Sequence, residues 1–211
     1  MLLDQPAAPN LPLATPQYDS RYQEQFNKVL RLFFNRLSNS LQTLLGLRGG
    51  QYLSFPYGAF SSLSDQTLGA INTPQAITYS STDASNGVSY SSGSRIYVEQ
   101  SGVYNLQYSF QFANTDTAIH EVYVWLRVNG VNVAATSSKF DVPSKHGSSD
   151  GYLIAACNFY VTMNGGDYVE LIWASDSTTV YIETYAAQTS PFAMPSVPSS
   201  VATLSFVSAL A

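Results

Sequence analysis

The chain has 211 residues, of which only 11% are charged, and its formal net charge is −5. This length can bury a full core in one β-domain with some chain left over, and the acidic balance argues against nucleic acid as a partner. No segment reaches the roughly 18 apolar residues of a membrane helix. The N-terminus also lacks the basic and long apolar regions of a signal peptide. We therefore expect a soluble protein that is made in a cytoplasm, with no membrane partner.

Residues 1–18 are predicted to form an extended arm. Four closely spaced prolines keep this backbone extended and prevent a helix; they are Pro6, Pro9, Pro12 and Pro16. Leu11, Leu13 and Tyr18 lie among them and would be poorly suited to solvent. The segment is either a disordered tail or an arm laid along a neighbouring subunit or partner.

Residues 19–50 are predicted to form one amphipathic helix and its end. Asp19 or Ser20 can cap the start, and glycines from residue 46 onward can stop it. Apolar residues recur at steps of three and four along residues 19–47, as on one face of a helix. The apolar positions are Tyr22, Phe26, Val29, Leu30, Phe33, Leu37, Leu41, Leu44 and Leu45.

The apolar stripe of this helix can either lie on the chain's own sheet or pack on copies of itself. The steps from Phe26 through Leu30 and Phe33 to Leu37 suit the seam of a helical bundle. Ser40 then falls where the next seam residue belongs, so the heptad is broken. We favour self-association through a short or imperfect bundle, while docking on a partner stays open.

Residues 51–211 are predicted to form a β-sandwich. Residues 48–74 are rich in aromatics and are expected to make an ordered connection. In residues 104–112 apolar and polar side chains alternate, which is typical of a strand with one buried face. Further strands are predicted at residues 75–80, 87–90, 95–100, 121–128, 152–163, 168–173, 180–185 and 201–210.

Turn chemistry separates these blocks. Asn129-Gly130 is the strongest signal for a two-residue hairpin, and residues 164–167 predict another tight turn. Residues 83–87 are also interpreted as a turn, since Asp, Asn and Gly favour turn conformations. Many short strands with no helix among them indicate a sandwich.

No convincing catalytic arrangement is present in the sequence, so we predict that the chain is not an enzyme. Ser148, His146 and Asp150 contain the residue types of a hydrolase triad, but neighbouring loop residues rarely point at one another. Two isolated histidines do not supply a zinc site. Cys157, the single cysteine, lies in an apolar run and is expected to be a small core residue.

No cofactor is predicted, although calcium stays open because several aspartates lie in turns. Trp125 and Trp173 lie inside apolar strand blocks and are expected in the core. A sugar-binding patch would more readily use loop residues such as Tyr90 or Tyr152.

Three short motifs resemble the jelly rolls of the complement C1q and tumour necrosis factor superfamily. They are residues 102–109 (GVYNLQYS), 124–130 (VWLRVNG) and 167–171 (DYVEL). Further stretches are similar to virion proteins of tailed bacteriophages: residues 13–18, 66–67, 86–89, 145–151 and 182–184. The resemblance implies a mainly β, C1q/TNF-like jelly-roll sandwich preceded by an arm and a helix. It also implies a homotrimer with aromatic strand faces buried around a three-fold axis.

The leading functional hypothesis is a homotrimeric capsid decoration or cement protein that stabilises a phage head. Its partners would be its own copies and the major capsid protein, and its location the virion. The candidate docking residues are Leu11, Leu13, Tyr18, Tyr22 and Phe26. The alternative is a tail-fibre or spike protein that recognises a host surface glycan. The sequence does not distinguish head from tail, nor a helix that trimerises from one that docks.

Overall fold

The computed structural model of the protein describes residues 7–14, 16–45 and 54–210. These residues divide into two compact units, one ending at Ser54 and one beginning at Phe55. The glycines predicted to stop the helix lie outside the described residues. Each unit is described by itself below.

The first unit contains one helix, α1, which spans Ser20–Leu45 and confirms the predicted helix. Asp19 caps it, because its Oδ1 accepts a hydrogen bond from the Arg21 N–H at 2.9 Å and its carbonyl accepts one from the Gln23 N–H at 3.1 Å. No residue of α1 is buried. In the described residues, no helix is both long enough and apolar enough to cross a membrane.

The stripe of α1 follows an 11-residue repeat better than the broken heptad that the sequence suggested. Tyr22, Phe33 and Leu44 stand 11 residues apart, as do the pairs Phe26 and Leu37, and Leu30 and Leu41. Eleven residues in three turns give about 3.67 residues per turn, close to the helix's own 3.6, so the stripe runs almost parallel to the axis. Ser40 is then a single polar residue within a continuous stripe and does not end it.

The second unit is a sandwich of antiparallel strands. Its strands are β1 (Tyr57–Ser62), β2 (Gln66–Thr67), β3 (Gln75–Ala76), β4 (Ser81–Asn86), β5 (Val88–Ser91), β6 (Arg95–Val98), β7 (Gly102–Asn114), β8 (His120–Val128), β9 (Val131–Asn132), β10 (Ser138–Val142), β11 (Gly151–Met163), β12 (Tyr168–Ser175), β13 (Val180–Ile182) and β14 (Ser200–Ser208).

Two seven-stranded sheets make the sandwich. Sheet A runs in the order β2-β13-β7-β14-β1-β4, with β11 also paired to β7; sheet B runs β10-β8-β12-β6-β5, with β3 beside β12 and β9 beside β8. Consecutive strands repeatedly change sheet, as in a jelly roll. The prediction of a mainly β, jelly-roll sandwich preceded by one helix is confirmed.

The core lies between the sheets and follows the predicted alternation. On β7, Tyr104, Leu106, Tyr108, Phe110 and Phe112 point inward and are at most 4% exposed. Sheet B contributes its own inward row, which includes the fully buried Trp173 of β12. The Trp173 ring lies 5.5 Å from that of Phe112, so the two sheets meet through their largest side chains.

The predicted hairpin at Asn129-Gly130 is confirmed. Both residues have positive φ, 49° and 80°, and the flanking Val128 and Val131 pair directly. Positive φ at both central residues is the requirement of a type I′ turn, whose twist matches that of the strands.

Two predictions about the connecting segments were wrong. Residues 83–87 are not simply a turn, because β4 pairs there with β1 and only Gly87, at φ 63°, has the left-handed conformation. Every residue of β4 except Asn86 is exposed, so backbone pairing rather than an apolar pattern defines this strand. The segment 48–74 is also more than a connection, since β1 and β2 belong to sheet A.

Gly151 begins β11 at a point where the backbone of another segment passes very close. A Cβ placed on it would lie 1.8 Å from the Pro143 carbonyl oxygen. Only glycine fits there. Gly151 pairs with Asn114 at one end of the 13-residue register between β11 and β7, so a side chain here would disturb the start of that pairing.

Candidate assembly interface

β11 is an edge strand of sheet A with an exposed apolar row. It pairs with β7 along its full length of 13 residues, while β14 and β13 pair with the same β7 residues from the opposite edge. No strand among the described residues pairs with the outer edge of β11. On its outward face Tyr152, Ile154 and Tyr160 are 52%, 61% and 70% exposed.

The outward rows of the neighbouring strands are neutral. Gln107 and Ser109 of β7 face outward between β11 and β14, and Thr203 and Val201 of β14 pair with them. None of the strands β1, β7, β11 and β14 contains a charged residue. We call the outward side of these four strands the neutral face.

Two acids beside the neutral face accept hydrogen bonds from protein hydroxyls. Asp83 of β4 accepts one from Ser61 Oγ of β1 at 2.9 Å. Glu183 follows β13, and its carboxylate accepts hydrogen bonds from the hydroxyls of Tyr181, at 3.0 Å, and of Tyr185. Burial, followed by these bonds to Glu183, raises the pKa of both tyrosines. Tyr185 also makes an edge-on ring contact with Tyr152 of β11 at 6.2 Å. The Glu183 carboxylate is thus hydrogen-bonded by two tyrosines at the border of the neutral face.

Sheet B presents a different outward surface. It carries ion pairs: Lys139 pairs with Glu121, and Arg95 pairs with the buried Glu170 at 3.6 Å. Trp125 also lies on this side, partly exposed, so its predicted place in the core was wrong. In the block VYVWLRV both faces carry apolar residues, and alternation alone does not say which face is inward.

The residues considered for hydrolysis do not form a triad. His146 and Ser149 exchange backbone hydrogen bonds of 2.8 and 3.1 Å in a tight loop. Within the described residues, no side-chain hydrogen bond connects Ser148, His146 and Asp150. The other histidine, His120, is held between Asp176 at 3.1 Å and Asp116 at 3.0 Å.

The turn aspartates hydrogen-bond to protein groups. Asp167 accepts from Asn129 Nδ2 and the Asn164 N–H, both at 2.7 Å. In the part of the chain that the structure describes, no group of three or more His, Cys, Asp or Glu residues is arranged to hold a metal ion. Cys157 is partly buried against the core, with Sγ 3.5 Å from Ser138 Oγ.

The five predicted docking residues belong to the first unit. Leu13 and Tyr18 are 92% and 86% exposed, and Leu11 is 46% exposed. Tyr22 and Phe26 lie in the first turns of α1, where their rings stack at 6.1 Å. These five residues are therefore available for contacts.

The sequence analysis did not predict the neutral face. The pattern that indicates it is the absence of charged residues from several strands that are distant in sequence.

Comparison with known proteins gives a fold likeness only. No family model and no curated protein matches the chain. Among solved structures, the chain is similar to one described as the crystal structure of murine APRIL at pH 5.0, with 11% identity and a TM-score of 0.49. That match covers 73% of this chain and 100% of the other. Nothing about the partners or activity of this chain follows from it.

The stability of the sandwich is expected to fall in acid below about pH 4. The pKa of Asp167 is lowered by the hydrogen bonds from Asn129 and Asn164, and that of Asp116 chiefly by the hydrogen bond with His120. A lowered pKa in the folded state adds stability that is present above the ordinary value of 3.8 and lost as the pH falls. Asp167→Asn should lower Tm by about 1 to 3 °C at pH 7. At pH 3 the difference in Tm between the variant and the wild type should be smaller, because the wild type has lost part of this stabilisation. Parallel Tm curves for the two proteins across pH 2.5–7 would contradict this assignment.

Proposed function

We propose that this chain is a non-enzymatic structural protein that forms a homotrimer through the neutral face. The observation that carries the proposal is an uncharged, tyrosine-bearing sheet face that ends in a long unpaired edge strand. The centres of protein interfaces are poor in charged residues and rich in tyrosine. A face without charge also loses little hydration energy when it is covered.

The edge of β11 gives a second reason for a covered surface. Soluble proteins protect long edge strands with charges, prolines, bulges or a covering segment, because a free edge pairs with other chains. β11 has 13 residues with no charge and no proline. A closed ring of identical copies would cover this edge in every subunit.

Helix α1 also favours self-assembly of the chain. Its stripe runs almost parallel to the axis, so parallel copies of α1 can pack along all 26 residues with little supercoiling. None of these residues is buried within the chain. Copies of the same helix in a trimer would cover Phe26, Phe33 and Leu37 together.

The setting that we propose is a bacteriophage head, with the protein as a decoration or cement protein. This setting rests on the sequence resemblance, and the arm-helix-sandwich order is compatible with it. The sandwich would project from the particle, while Leu11, Leu13 and Tyr18 bind the major capsid protein. Tyr22 and Phe26 would extend this contact into the first turns of α1.

A receptor-binding fibre or spike is the second candidate. It is favoured by the partly exposed Trp125 and Tyr123, which lie side by side on the outward face of sheet B, because contiguous exposed apolar groups mark interaction sites. Both candidates use the same trimer but differ in their place on a particle.

The number of copies per purified particle distinguishes the two candidates. Hundreds of copies, measured on a quantitative gel against the major capsid protein, would support a shell component. A few to a few dozen copies would place the protein in the tail. Its absence from particles would contradict both settings while leaving the trimer to be tested separately.

Deletion of residues 1–50 is expected to abolish capsid binding and leave a trimer. The reason is that the proposed capsid contacts lie in the arm and first turns of α1, whereas the neutral face belongs to the second unit. Co-sedimentation with capsids that lack the protein measures binding, and sedimentation velocity measures the trimer. Binding that survives the deletion would contradict the docking assignment.

A further inference from the structure

Two aromatic side chains stand next to each other on the outward face of β8. Tyr123 and Trp125 flank the inward Val124, which is fully buried, so both rings belong to the outer surface of sheet B. Tyr123 is 39% exposed, and Trp125 is partly exposed. Beside them is a groove of about 500 Å³, closed on one side by the loop of residues 133–137.

Small side chains keep the groove open. Across the sheet, Ala174 of β12 is paired with Tyr123, and Ala134 and Ala135 line the loop side. Ile172, paired with Trp125, is fully buried although it does not belong to the core between the sheets. Its burial on the outward side is consistent with cover by its cross-strand neighbour Trp125. Trp125 therefore has an apolar support below it and solvent above.

A hydrogen bond fixes the indole ring in place. Asn132 Oδ1 accepts from Trp125 Nε1 at 2.9 Å and from Arg127 Nε at 3.3 Å. Because the amide oxygen is used in this way, the Asn132 Nδ2 group is the part of the amide that can donate to a ligand. Asn72 and Ser137, both exposed, add neutral polar groups to the lining.

The loop side of the groove is firmly held. Thr136, only 8% exposed, accepts a hydrogen bond from the Leu126 N–H at 3.1 Å and donates one to the Val133 carbonyl at 2.8 Å. The Val133 N–H also donates to the Leu126 carbonyl at 2.9 Å. Ala135, at φ 60°, has a left-handed conformation that is costly for alanine. Such conformations occur at ligand sites where the surrounding structure imposes them.

We propose that this groove binds a neutral glycan, with a pyranose ring stacked against Trp125 and Tyr123. Sugars present an apolar C–H side and a rim of hydroxyls, which matches aromatic faces bordered by amide and hydroxyl groups. No lining residue is charged. Of the charged groups nearby, Glu121 and Lys139 are paired with each other, with Lys139 Nζ 6.0 Å from the centre of the Tyr123 ring. The Arg127 guanidinium donates to Asn132 Oδ1. An acidic ligand would therefore have to compete with these protein partners for the neighbouring cations, whereas a neutral ligand would not.

The proposal goes beyond the trimeric structural role and does not depend on it. Sheet B is the sheet opposite the neutral face of sheet A in the sandwich, so a trimer built through the neutral face leaves the groove open. The chemistry assigns a ligand class, a neutral hexose-containing oligosaccharide, to a place that the sequence did not single out. Of the sequence candidates, the Tyr90 ring packs on Phe60 at 5.4 Å, and Tyr152 lies on β11.

The two tryptophans provide a direct readout in the full-length chain. Trp173 is fully buried, so a ligand in the groove should change only the emission and acrylamide quenching of Trp125. We expect saturable protection of Trp125 by neutral trisaccharides of glucose or galactose, titrated up to about 50 mM, enough to detect a Kd of about 10 mM. Saturation-transfer NMR on the same sugars reports binding without using tryptophan.

Trp125→Ala is expected to weaken sugar binding about tenfold or more by NMR, because it removes an aromatic stacking surface. Ala134→Leu fills the groove from an exposed loop position and should have the same effect without disturbing the core. Phe192→Ala, which removes an aromatic residue that is 61% exposed outside the groove, should leave binding unchanged.

Several results would overturn the proposal. They are no binding of any neutral trisaccharide to the wild-type chain, equal binding by wild type and Ala134→Leu, or tighter binding of a sialylated trisaccharide than of its neutral parent. A monomeric wild-type chain that still binds neutral sugar would contradict the trimer and leave the groove assignment intact.

Discussion

Trp173→Ala is expected to cost about 3 to 5 kcal/mol of unfolding free energy, the usual loss for a large aromatic in a core. Trp173 is fully buried and joins sheet B to Phe112 of sheet A, so its removal leaves a cavity between the two sheets. Domains of this kind have only about 5 to 15 kcal/mol in total. Thermal and urea unfolding should show a Tm lower by about 10 °C.

Two matched variants test the reason for this loss. Trp125→Ala removes the same side chain from the surface of sheet B and should cost much less. Trp173→Phe should also be mild, because Trp173 Nε1 is buried without a hydrogen-bond partner among the described residues and phenylalanine removes that unsatisfied donor. Equal losses for Trp173→Ala and Trp125→Ala would contradict the assignment of inward and outward faces on sheet B.

Tyr160→Glu is expected to convert the proposed trimer into monomers without unfolding them. Tyr160 is 70% exposed within the single chain, so the new charge is solvated in the monomer. In a trimer the three glutamates would bring like charges into an uncharged interface, at a cost of about 2 to 5 kcal/mol. Each 1.4 kcal/mol changes the association constant about tenfold.

Sedimentation velocity measures this change directly, since each chain has a mass of 23.0 kDa. Val131→Glu is the matched control: Val131 is also 70% exposed, but it belongs to β9 of sheet B. It should leave the trimer intact. Monomeric wild type, or dissociation by both variants alike, would contradict the neutral face as the interface.

The sequence predicts best those strands that have one buried face and one solvent-exposed face. The alternation along β7 identifies its buried row residue by residue, and the Asn129-Gly130 hairpin is set by local backbone preference. Ala84 is the single apolar residue of β4, and the strand is defined by pairing with β1, so its local sequence pattern does not predict it. The interior of the sandwich was therefore predictable, and its exposed edge was not.

The functional surfaces depend on pairing between distant strands. The neutral face combines residues of β11, β7 and β14, and its character is a shared absence of charge that no single strand reveals. Trp125 was assigned to the core because its strand is apolar on both sides. Its alternation with the buried Val124 and its register with Ile172 place Trp125 on the outward side of sheet B.

Because the two sheets lie back to back, the proposed trimer would have a higher avidity for a glycan-coated surface than a single chain. If the neutral faces close a ring of three chains, three grooves are presented together on the outer sheets. A groove that holds one sugar weakly then acts through effective concentration, and avidity can exceed the affinity of one site by about 10² to 10⁴ when the spacing of the glycans matches. Attachment to a dense glycan layer would thus be strong and selective for density, while each single contact stays quickly reversible.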